Sequence, residues 1–493
     1  MNDDQSKPMP KANLRKTFTD YLYNVAYQIL VIILPIVTTP YVARVLGAEG
    51  VGQHAFVHTV AHYFLLFALM GVSSYGSRAI AQVRDDSDKT AYVFSGIVYL
   101  QWMLTSLMLV LYTIYVVFIS GQHQLLAAIK TLYVLSAALD INWFFFGLEQ
   151  FKLMATRRIV VKLITVASVF IFVRQRSDLW IYTLIMAFDF VVVQGYLWFI
   201  FRKFTQLVRV PLRDTLAHLR GTALLFIPSI STYVYRSISK LLLGLITGMV
   251  ALGLFEYSER VILVSLGLLQ ALGIVMLPKM TAFRAQNQEE LGKRYLRGSM
   301  QFAMLLTVGV AFGYAAIAPE FSVVFFGPEF QAAIELMQGL SITMFFIAWA
   351  NVIRMQFLIP NNLERVLIAS TFGGIAMNVP ASLLLIPLLG AMGAVVAGIL
   401  TELTVALIQT WKVREQLEIK QYFGDSVPFL LSGLIMFIVV RLIGNHFGAS
   451  ISGVVIQVLS GMVVFTICTA LLLLRSQSPL SLLMKRLLKT RKK

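Results

Sequence analysis

The sequence predicts an all-α polytopic membrane protein with 14 transmembrane helices and both termini in the cytoplasm. Of its 493 residues 58% are hydrophobic and only 13% are charged, whereas soluble domains carry about 25% charged residues. The apolar residues fall into runs of about 20, the length that crosses a bilayer as a helix. The basic residues lie mostly in every second connection, which indicates a fixed orientation in a membrane. A water-soluble protein is excluded on these grounds.

Fourteen apolar runs are bounded by charges, glycine or proline, and each is long enough to be read as a span. In chain order they cover residues 18–45, 54–77, 91–118, 125–147, 159–173, 179–201, 222–246, 253–277, 298–318, 331–353, 366–387, 393–411, 427–443 and 451–474.

The net charge of +17 is explained by orientation rather than by nucleic acid. With the N-terminus placed inside, 33 of the 41 Lys and Arg residues fall on the cytoplasmic side, as the positive-inside rule requires. An odd number of spans would put the basic C-terminus on the opposite side. The sequence therefore predicts an even number of spans and no nucleic-acid partner.

The connections are short, and the longest polar stretch in mid-chain divides the first twelve spans into two sixes. The predicted organisation is a cytoplasmic tail (1–17), a first six-helix bundle (18–201), a basic cytoplasmic linker (202–221), a second six-helix bundle (222–411), two additional helices (427–474) and a basic amphipathic cytoplasmic tail (475–493). The last segment is expected to bind anionic lipid of the inner leaflet.

A short sequence echo supports this division into two halves. Residues 47–56 and 248–257 both fit the pattern G-x3-[VL]-G-x3-[FY], and each follows the first span of its half. The echo agrees with an internal repeat of the kind that transporters use.

No signature of an enzyme or an ATP-driven pump is present. The chain lacks G-x-x-x-x-G-K-[ST], G-x-S-x-G, H-E-x-x-H and C-x-x-C, and its one cysteine, Cys468, can form neither an internal disulfide nor a metal cluster. We therefore expect a protein that is not an enzyme and has no cofactor or metal. Its work would draw on a coupling ion, H⁺ or Na⁺, on the substrate's own gradient or on a separate motor protein.

Charged residues inside predicted spans are the candidates for function, because each costs about 2.5–3.5 kcal/mol at a helix centre. Arg236 and Lys240 lie four residues apart in the seventh span, and Arg260 follows Glu256 by four in the eighth. We interpret these cations as the lining of a water-filled cavity that holds an anionic head group. The alternative is that Glu256 neutralises Arg260 while the other two side chains extend to a surface.

In the first half, Arg44 ends the first span, Asp140 lies in the fourth and Asp189 in the sixth. Arg44 is either an interface anchor or part of a gate. Asp140 and Asp189, like Glu256, are candidates for coupling or gating. Each of the two aspartates either binds a coupling proton or sodium or serves as the partner of a cation such as Lys130.

Several segments together resemble a known family. They are ARVLGAEGVG (Ala43–Gly52), SYGSRAIAQVRDD (Ser74–Asp86), LDINWFFFGLEQFK (Leu139–Lys152), KLLLGLITGMVALGLFEYSERV (Lys240–Val261) and LPKM (Leu277–Met280). The chain is similar over nearly its full length to the polysaccharide transporter family, the Wzx or RfbX type flippases of the multidrug/oligosaccharidyl-lipid/polysaccharide (MOP) superfamily. Many relatives carry an acidic residue near the start of the lysine-containing segment of span seven, where this chain has Arg236 and Ser239.

The resemblance implies two six-helix bundles arranged in a V around a central cavity, with two extra helices at the end. It also implies a multi-pass protein of the bacterial cytoplasmic membrane that moves an undecaprenyl-pyrophosphate-linked oligosaccharide from the inner to the outer leaflet by alternating access. The glycan would be a precursor of capsule, exopolysaccharide, O-antigen or teichoic acid. The implied partners are this lipid-linked oligosaccharide, membrane lipids, and the polymerase and glycosyltransferases of the same pathway.

Two alternatives stand beside the flippase. One is a proton- or sodium-coupled exporter of drugs or metabolites with the same architecture, which would need carboxylates in its cavity. The other is a membrane glycosyltransferase or acyltransferase, which the short loops argue against.

Overall fold

The computed structural model describes residues 11–475 and residue 481, and these residues are mostly helical with no β-strand. Two of the predicted segments fall partly outside this range. The described residues exclude 1–10 of the N-terminal tail. They also exclude 476–493 of the C-terminal tail, apart from residue 481. Residues 11–17, also assigned to that tail, belong to the first helix.

The first half of the chain forms seven helices and begins the eighth. They are α1 (Lys11–Leu69), α2 (Val72–Val83), α3 (Ser87–Phe118), α4 (Gln124–Leu139), α5 (Asn142–Gly147), α6 (Phe151–Phe172), α7 (Leu179–Ile200) and α8 (Leu212–Ile246). α8 begins within residues 202–221, so the predicted basic linker is partly helical. Asp214 lies in the first turn of this helix, where a carboxylate favours helix formation.

The second half continues the all-helical pattern. Its helices are α9 (Met249–Ala285), α10 (Glu289–Phe321), α11 (Ala333–Ile353), α12 (Glu364–Leu389), α13 (Ala391–Val413), α14 (Ile419–Phe447) and α15 (Ile451–Arg475). α10 and α11 each continue into one turn of π-helix, at Ser322–Phe326 and Arg354–Leu358. Such turns change the direction in which the following side chains point.

The fourteen predicted segments lie largely within helices, with breaks at residues 70–71 in the second and 140–141 in the fourth. Ten helical stretches among the described residues are long and apolar enough to cross a membrane, and one of them, Leu34–Val83, covers two predicted segments. The fourth predicted segment is interrupted: α4 ends at Leu139, and the Asp140 carboxylate accepts hydrogen bonds from the backbone nitrogen and the side-chain amide of Asn142. A side chain that bonds to nearby backbone in this way competes with helix continuation.

The two segments of the sequence echo have matching backbone geometry. Gly47 breaks α1 into two helices and has φ 69° and ψ 176°; Gly248, which precedes α9, has φ 95° and ψ 179°. Only glycine adopts this conformation readily. The repeated glycine therefore turns the chain in the same way at both joints.

The second glycine of each segment lies at a close helix crossing. A Cβ built on Gly52 would overlap the carbonyl group of Met249, and one built on Gly253 would overlap the carbonyl group of Ala48. Ala48 and Met249 are equivalent positions of the echo, so the crossing is pseudo-symmetric. Glycine at both positions lets the two backbones touch.

The helices divide into two compact units. Among the described residues, the first unit contains residues 11–46 and Val57–Ile230, and the second contains Gly47–Phe56 and residues 231–475. Trp143, Phe144 and Phe145, from the segment that resembles the flippase family, are buried in the aromatic core of the first unit. In the second unit, Ala316, Met436 and Val440 form a buried cluster.

Candidate functional site

The second unit contains a cluster of two cations and two anions between α8 and α9. The Lys240 ammonium lies 2.8 Å from a carboxylate oxygen of Glu256 and also forms an ion pair with Glu259. The Arg260 guanidinium lies 3.0 Å from the other Glu256 oxygen and over the ring of Tyr257, at 4.9 Å from its centroid. The cluster is electrically balanced, as groups in a low-dielectric environment must be to avoid a large desolvation cost.

Three predicted site residues are therefore brought together: Lys240, Glu256 and Arg260. The fourth member, Glu259, was not singled out from the sequence. Its position three residues after Glu256 places both carboxylates on neighbouring parts of one helical face, and that spacing is the signal that indicates it.

Arg236 lies one turn before Lys240 on α8 but lines a different space. A cavity of about 100 Å³ inside the second unit is lined by Arg236, Tyr235, Arg354 and Glu402 among other residues. These side chains come from α8, the π-helical turn after α11, and α13. The Glu402 carboxyl has the Tyr235 hydroxyl as hydrogen-bond partner and both arginines as nearby positive charges.

Arg354 and Glu402 were missed by sequence reasoning for different reasons. Glu402 lies within an apolar run, so the rule that selected Arg236 selects it equally. Arg354 follows the apolar run of α11 directly and therefore looked like a residue of a cytoplasmic loop. Only the π-helical turn that starts at Arg354 shows that this side chain reaches the cavity.

A second polar group in the same unit surrounds Ser239. The Ser239 hydroxyl donates to the side-chain oxygen of Asn378 at 2.9 Å and lies 3.0 Å from the Ser382 hydroxyl, while the Asn378 amide donates to the Thr401 hydroxyl at 3.0 Å. All four residues are buried. The group contains hydroxyls and one amide but no carboxylate, and it joins α8, α12 and α13 by hydrogen bonds.

The predicted residues of the first half lie in separate places in the first unit. Arg44 is exposed at the end of the helical segment that precedes Gly47. The Asp189 carboxylate accepts a hydrogen bond of 2.5 Å from the Thr165 hydroxyl of α6. Lys130 is buried and lies over the ring of Tyr133, at 5.6 Å from its centroid.

Asp140 belongs to a buried polar network at the break between α4 and α5. The Asn142 amide donates to Asp140 and to Gln194, at 2.6 Å each, and Arg157 donates to the Asn142 side-chain oxygen at 2.7 Å. The network links α5, α6 and α7. The aspartate thus has partners that hold the local backbone in place.

Among the described residues, no three His, Cys, Asp or Glu side chains meet as a set of metal ligands. The charged and polar groups of the second unit form ion pairs and hydrogen bonds. Two guanidinium groups beside one carboxyl group favour an anion, because guanidinium forks match phosphate and carboxylate oxygens.

Known proteins of similar sequence are transporters by name. The chain is 20% identical over 387 residues to a putative O-antigen transporter of Shigella dysenteriae, covering 78% of this chain and 96% of that protein. It is 23% identical over 406 residues to a putative O-antigen transporter of Escherichia coli strain K12, covering 78% and 93%.

Two solved structures show the same fold at low sequence identity. The Lipid II flippase MurJ in its inward closed conformation has a TM-score of 0.73 at 14% identity, covering 92% of this chain and 98% of that one. An inward-facing MATE multidrug transporter of the MOP superfamily has a TM-score of 0.61 at 12% identity, covering 82% and 99%.

The ten span-capable helices make this a multi-pass membrane protein, and its bacterial relatives of similar sequence are named as transporters. The family resemblance noted in the sequence is confirmed. A family model described as polysaccharide biosynthesis protein matches residues 18–284. Because that match covers more than half of the 493 residues, the chain belongs to the polysaccharide biosynthesis protein family.

Proposed function

We propose that the protein is a flippase for an undecaprenyl-pyrophosphate-linked oligosaccharide, which it moves from the inner to the outer leaflet of the cytoplasmic membrane by alternating access. The observation that carries the proposal is the pair of arginines, Arg236 and Arg354, beside the single carboxyl group of Glu402 in the second unit. A membrane-embedded excess of positive charge suits a substrate whose head group is anionic.

The relatives support this substrate class. Two are named O-antigen transporters, and a protein of the same fold is named a Lipid II flippase. The glycan would be a precursor of O-antigen, capsule, exopolysaccharide or teichoic acid. The polymerase and glycosyltransferases of that pathway are the proposed protein partners.

Four cations are proposed to contact the pyrophosphate along its path: Arg236, Lys240, Arg260 and Arg44. They differ in how far neighbouring carboxylates neutralise their charge. Lys240 and Arg260 form ion pairs with Glu256 and Glu259, so we propose Arg236 as the principal contact.

The proposed topology has 14 spans with both termini in the cytoplasm, in two six-helix bundles followed by two further helices. Alternation between inward-open and outward-open states would expose the head-group path to one leaflet at a time. The prenyl chain would stay in lipid throughout.

For energy coupling we propose H⁺ or Na⁺ binding at an acidic residue. Of the three candidates, Glu256 is neutralised by cations and Asp140 is held by Asn142. Asp189, whose carboxylate accepts a hydrogen bond from the neutral Thr165 hydroxyl, is the strongest candidate. Transport into proteoliposomes under an imposed proton or sodium gradient would identify the ion.

The proposal is tested in a strain that lacks its own flippase and cannot assemble its surface polymer. The unmodified protein should restore the polymer, and the triple variant Arg236→Ala, Lys240→Ala and Arg260→Ala should not. The matched control removes the same charge from three exposed basic residues, as Lys279→Ala, Arg294→Ala and Arg365→Ala, and should restore it.

Membrane abundance of every variant is measured alongside, and Arg236→Ala alone is included because it leaves the balanced cluster intact. Surface polymer at the normal level in the well-expressed triple variant would refute the assignment to these cations. A glycosyltransferase or acyltransferase would instead convert a labelled sugar nucleotide or acyl donor into a covalent product, which a flippase does not make.

A drug exporter is the competing function. Cationic drugs require carboxylates in the binding cavity, and here one carboxyl group faces two arginines. Drug resistance conferred without any effect on surface polymer would favour the exporter.

A further inference from the structure

Arg354 and Glu402 are the parts of the second unit that the family resemblance does not explain. They come from different helices, and both face the cavity that Arg236 lines. Their arrangement has the features of a binding site for one phosphate group.

The first feature is an excess of positive charge. Arg236 and Arg354 both line this cavity, and like charges at close range in a low-dielectric environment are unfavourable unless an anion lies between or beside them. Glu402 compensates for one of the two positive charges. The second remains available to a ligand.

The second feature is an unused donor. In the part of the chain that the structure describes, the Nε atom of Arg354 is buried without a hydrogen-bond partner. A buried donor on a charged group costs free energy when it is unpaired. An oxyanion in the cavity would give it a partner.

The third feature is the way in which these side chains are held. Arg354 is the first residue of a π-helical turn, a local distortion that occurs frequently at functional sites. Tyr235, the hydrogen-bond partner of Glu402, packs against Gly374 of α12, where a Cβ would lie 2.8 Å from the tyrosine ring. Glu402 is thereby held in one position beside the arginines.

The fourth feature is size. The cavity of about 100 Å³ is several times larger than the roughly 10–15 Å³ that one water molecule requires. This is room for a phosphate group.

We propose that Arg236 and Arg354 form a phosphate site and that Glu402 is its resident counter-ion, which occupies the arginines until a phosphate group displaces it. The ligand class is a phosphate or pyrophosphate group. That this group belongs to the lipid-linked oligosaccharide rests on the proposed function; the site itself does not. Glu402 therefore sets the affinity: it keeps the empty site neutral enough to be stable and weakens binding enough for the ligand to leave.

The test is the binding of inorganic pyrophosphate to the purified full-length protein in detergent, measured by titration calorimetry at low salt. Arg354→Gln should weaken binding by about tenfold or more, because a charge-assisted hydrogen bond is lost. Glu402→Gln should strengthen binding by about tenfold, because the competing carboxylate is removed. Arg365→Gln and Glu364→Gln, on exposed neighbours at the start of α12, make the same charge changes outside the cavity and should leave affinity unchanged.

Arg354→Lys covers the case in which Arg354→Gln does not fold. It keeps the charge but loses the planar fork, so its affinity should fall between those of the unmodified protein and the glutamine variant. Unchanged or weaker binding in folded Glu402→Gln would overturn the proposal, as would full affinity in Arg354→Gln or Arg354→Lys.

The two proposals fail in different ways. If pyrophosphate binding follows the expected pattern but surface polymer is not restored by the unmodified protein, the flippase function fails and the site stands. In the other outcome, polymer assembly requires Arg236 while the affinity for pyrophosphate is the same in the Arg354 and Glu402 variants as in the unmodified protein. The phosphate site is then refuted and the flippase function stands.

Discussion

The ionisable residues of the second unit fall into two groups that burial alone does not separate. Lys240, Glu256, Glu259 and Arg260 neutralise one another within a few ångströms, whereas Arg236 shares one carboxyl group with a second arginine. In a buried group of charged side chains, equal numbers of positive and negative charges favour a structural role, whereas a surplus of one sign favours binding of an ion of the opposite sign.

Lys240→Met should destabilise the protein by about 3–5 kcal/mol, because it leaves two carboxylates facing the single cation Arg260. Adding Glu259→Gln removes the surplus negative charge and leaves the Glu256–Arg260 pair intact. The double variant should therefore regain most of the lost free energy of unfolding. Thermal unfolding of the purified proteins measures both effects. Equal melting temperatures for the single and double variants would show that charge balance is not what Lys240 provides.

At the scale of helices, the joints after the first span of each half are built in the same way. A positive-φ glycine turns the chain, and a second glycine five residues later lets two helices meet backbone to backbone. The sequence echo is therefore a repeat of backbone geometry as well as of residue type. Contact at this distance leaves no room for a side chain on either helix.

Gly52→Ala and Gly253→Ala should each destabilise the protein by about 1–3 kcal/mol, the usual range for overpacking a tight contact. The obstacle in both cases is a backbone carbonyl, which cannot rotate away as a side chain can. The two effects should be similar, since the positions are equivalent.

Gly267→Ala is the matched control on α9, because a Cβ there meets nothing within 4 Å. It should leave the melting temperature unchanged or raise it slightly, since alanine favours helix over glycine by about 0.5–1 kcal/mol. If all three variants melted alike, the close crossing would not be a determinant of stability.

For the whole molecule, the distribution of basic residues predicts which end of each helix lies in the cytoplasm. The single cysteine makes this testable, because Cys468→Ser yields a cysteine-free chain with one change. The loop between α3 and α4 is expected outside and the stretch between α7 and α8 inside.

In the Cys468→Ser background, Gln122→Cys should react with a membrane-impermeant maleimide in intact spheroplasts. Arg209→Cys should react only after lysis. Both parent side chains are exposed, so a difference between them reports sidedness rather than burial. Labelling of Arg209→Cys in intact spheroplasts would contradict the proposed orientation.

The amino-acid sequence by itself determined the class of protein, the position of the helical segments, the family and part of the charged cluster. These follow from properties that are local in the chain: the hydrophobicity of successive residues decides whether a segment can leave water, and a charge four residues from another lies on the same helical face. On that basis the Glu256–Arg260 pair stood as the alternative to a cavity lined by Arg236, Lys240 and Arg260.

Only the tertiary structure decided which charges from different helices meet. Lys240 reaches α9 across a helix interface, and Arg354 is turned into the cavity by a π-helical turn that no residue type signals. Such contacts depend on the rotation and packing of helices that are far apart in the chain. A charge pattern read along the sequence cannot contain that information, and for this reason the balanced cluster and the proposed phosphate site became distinct only in three dimensions.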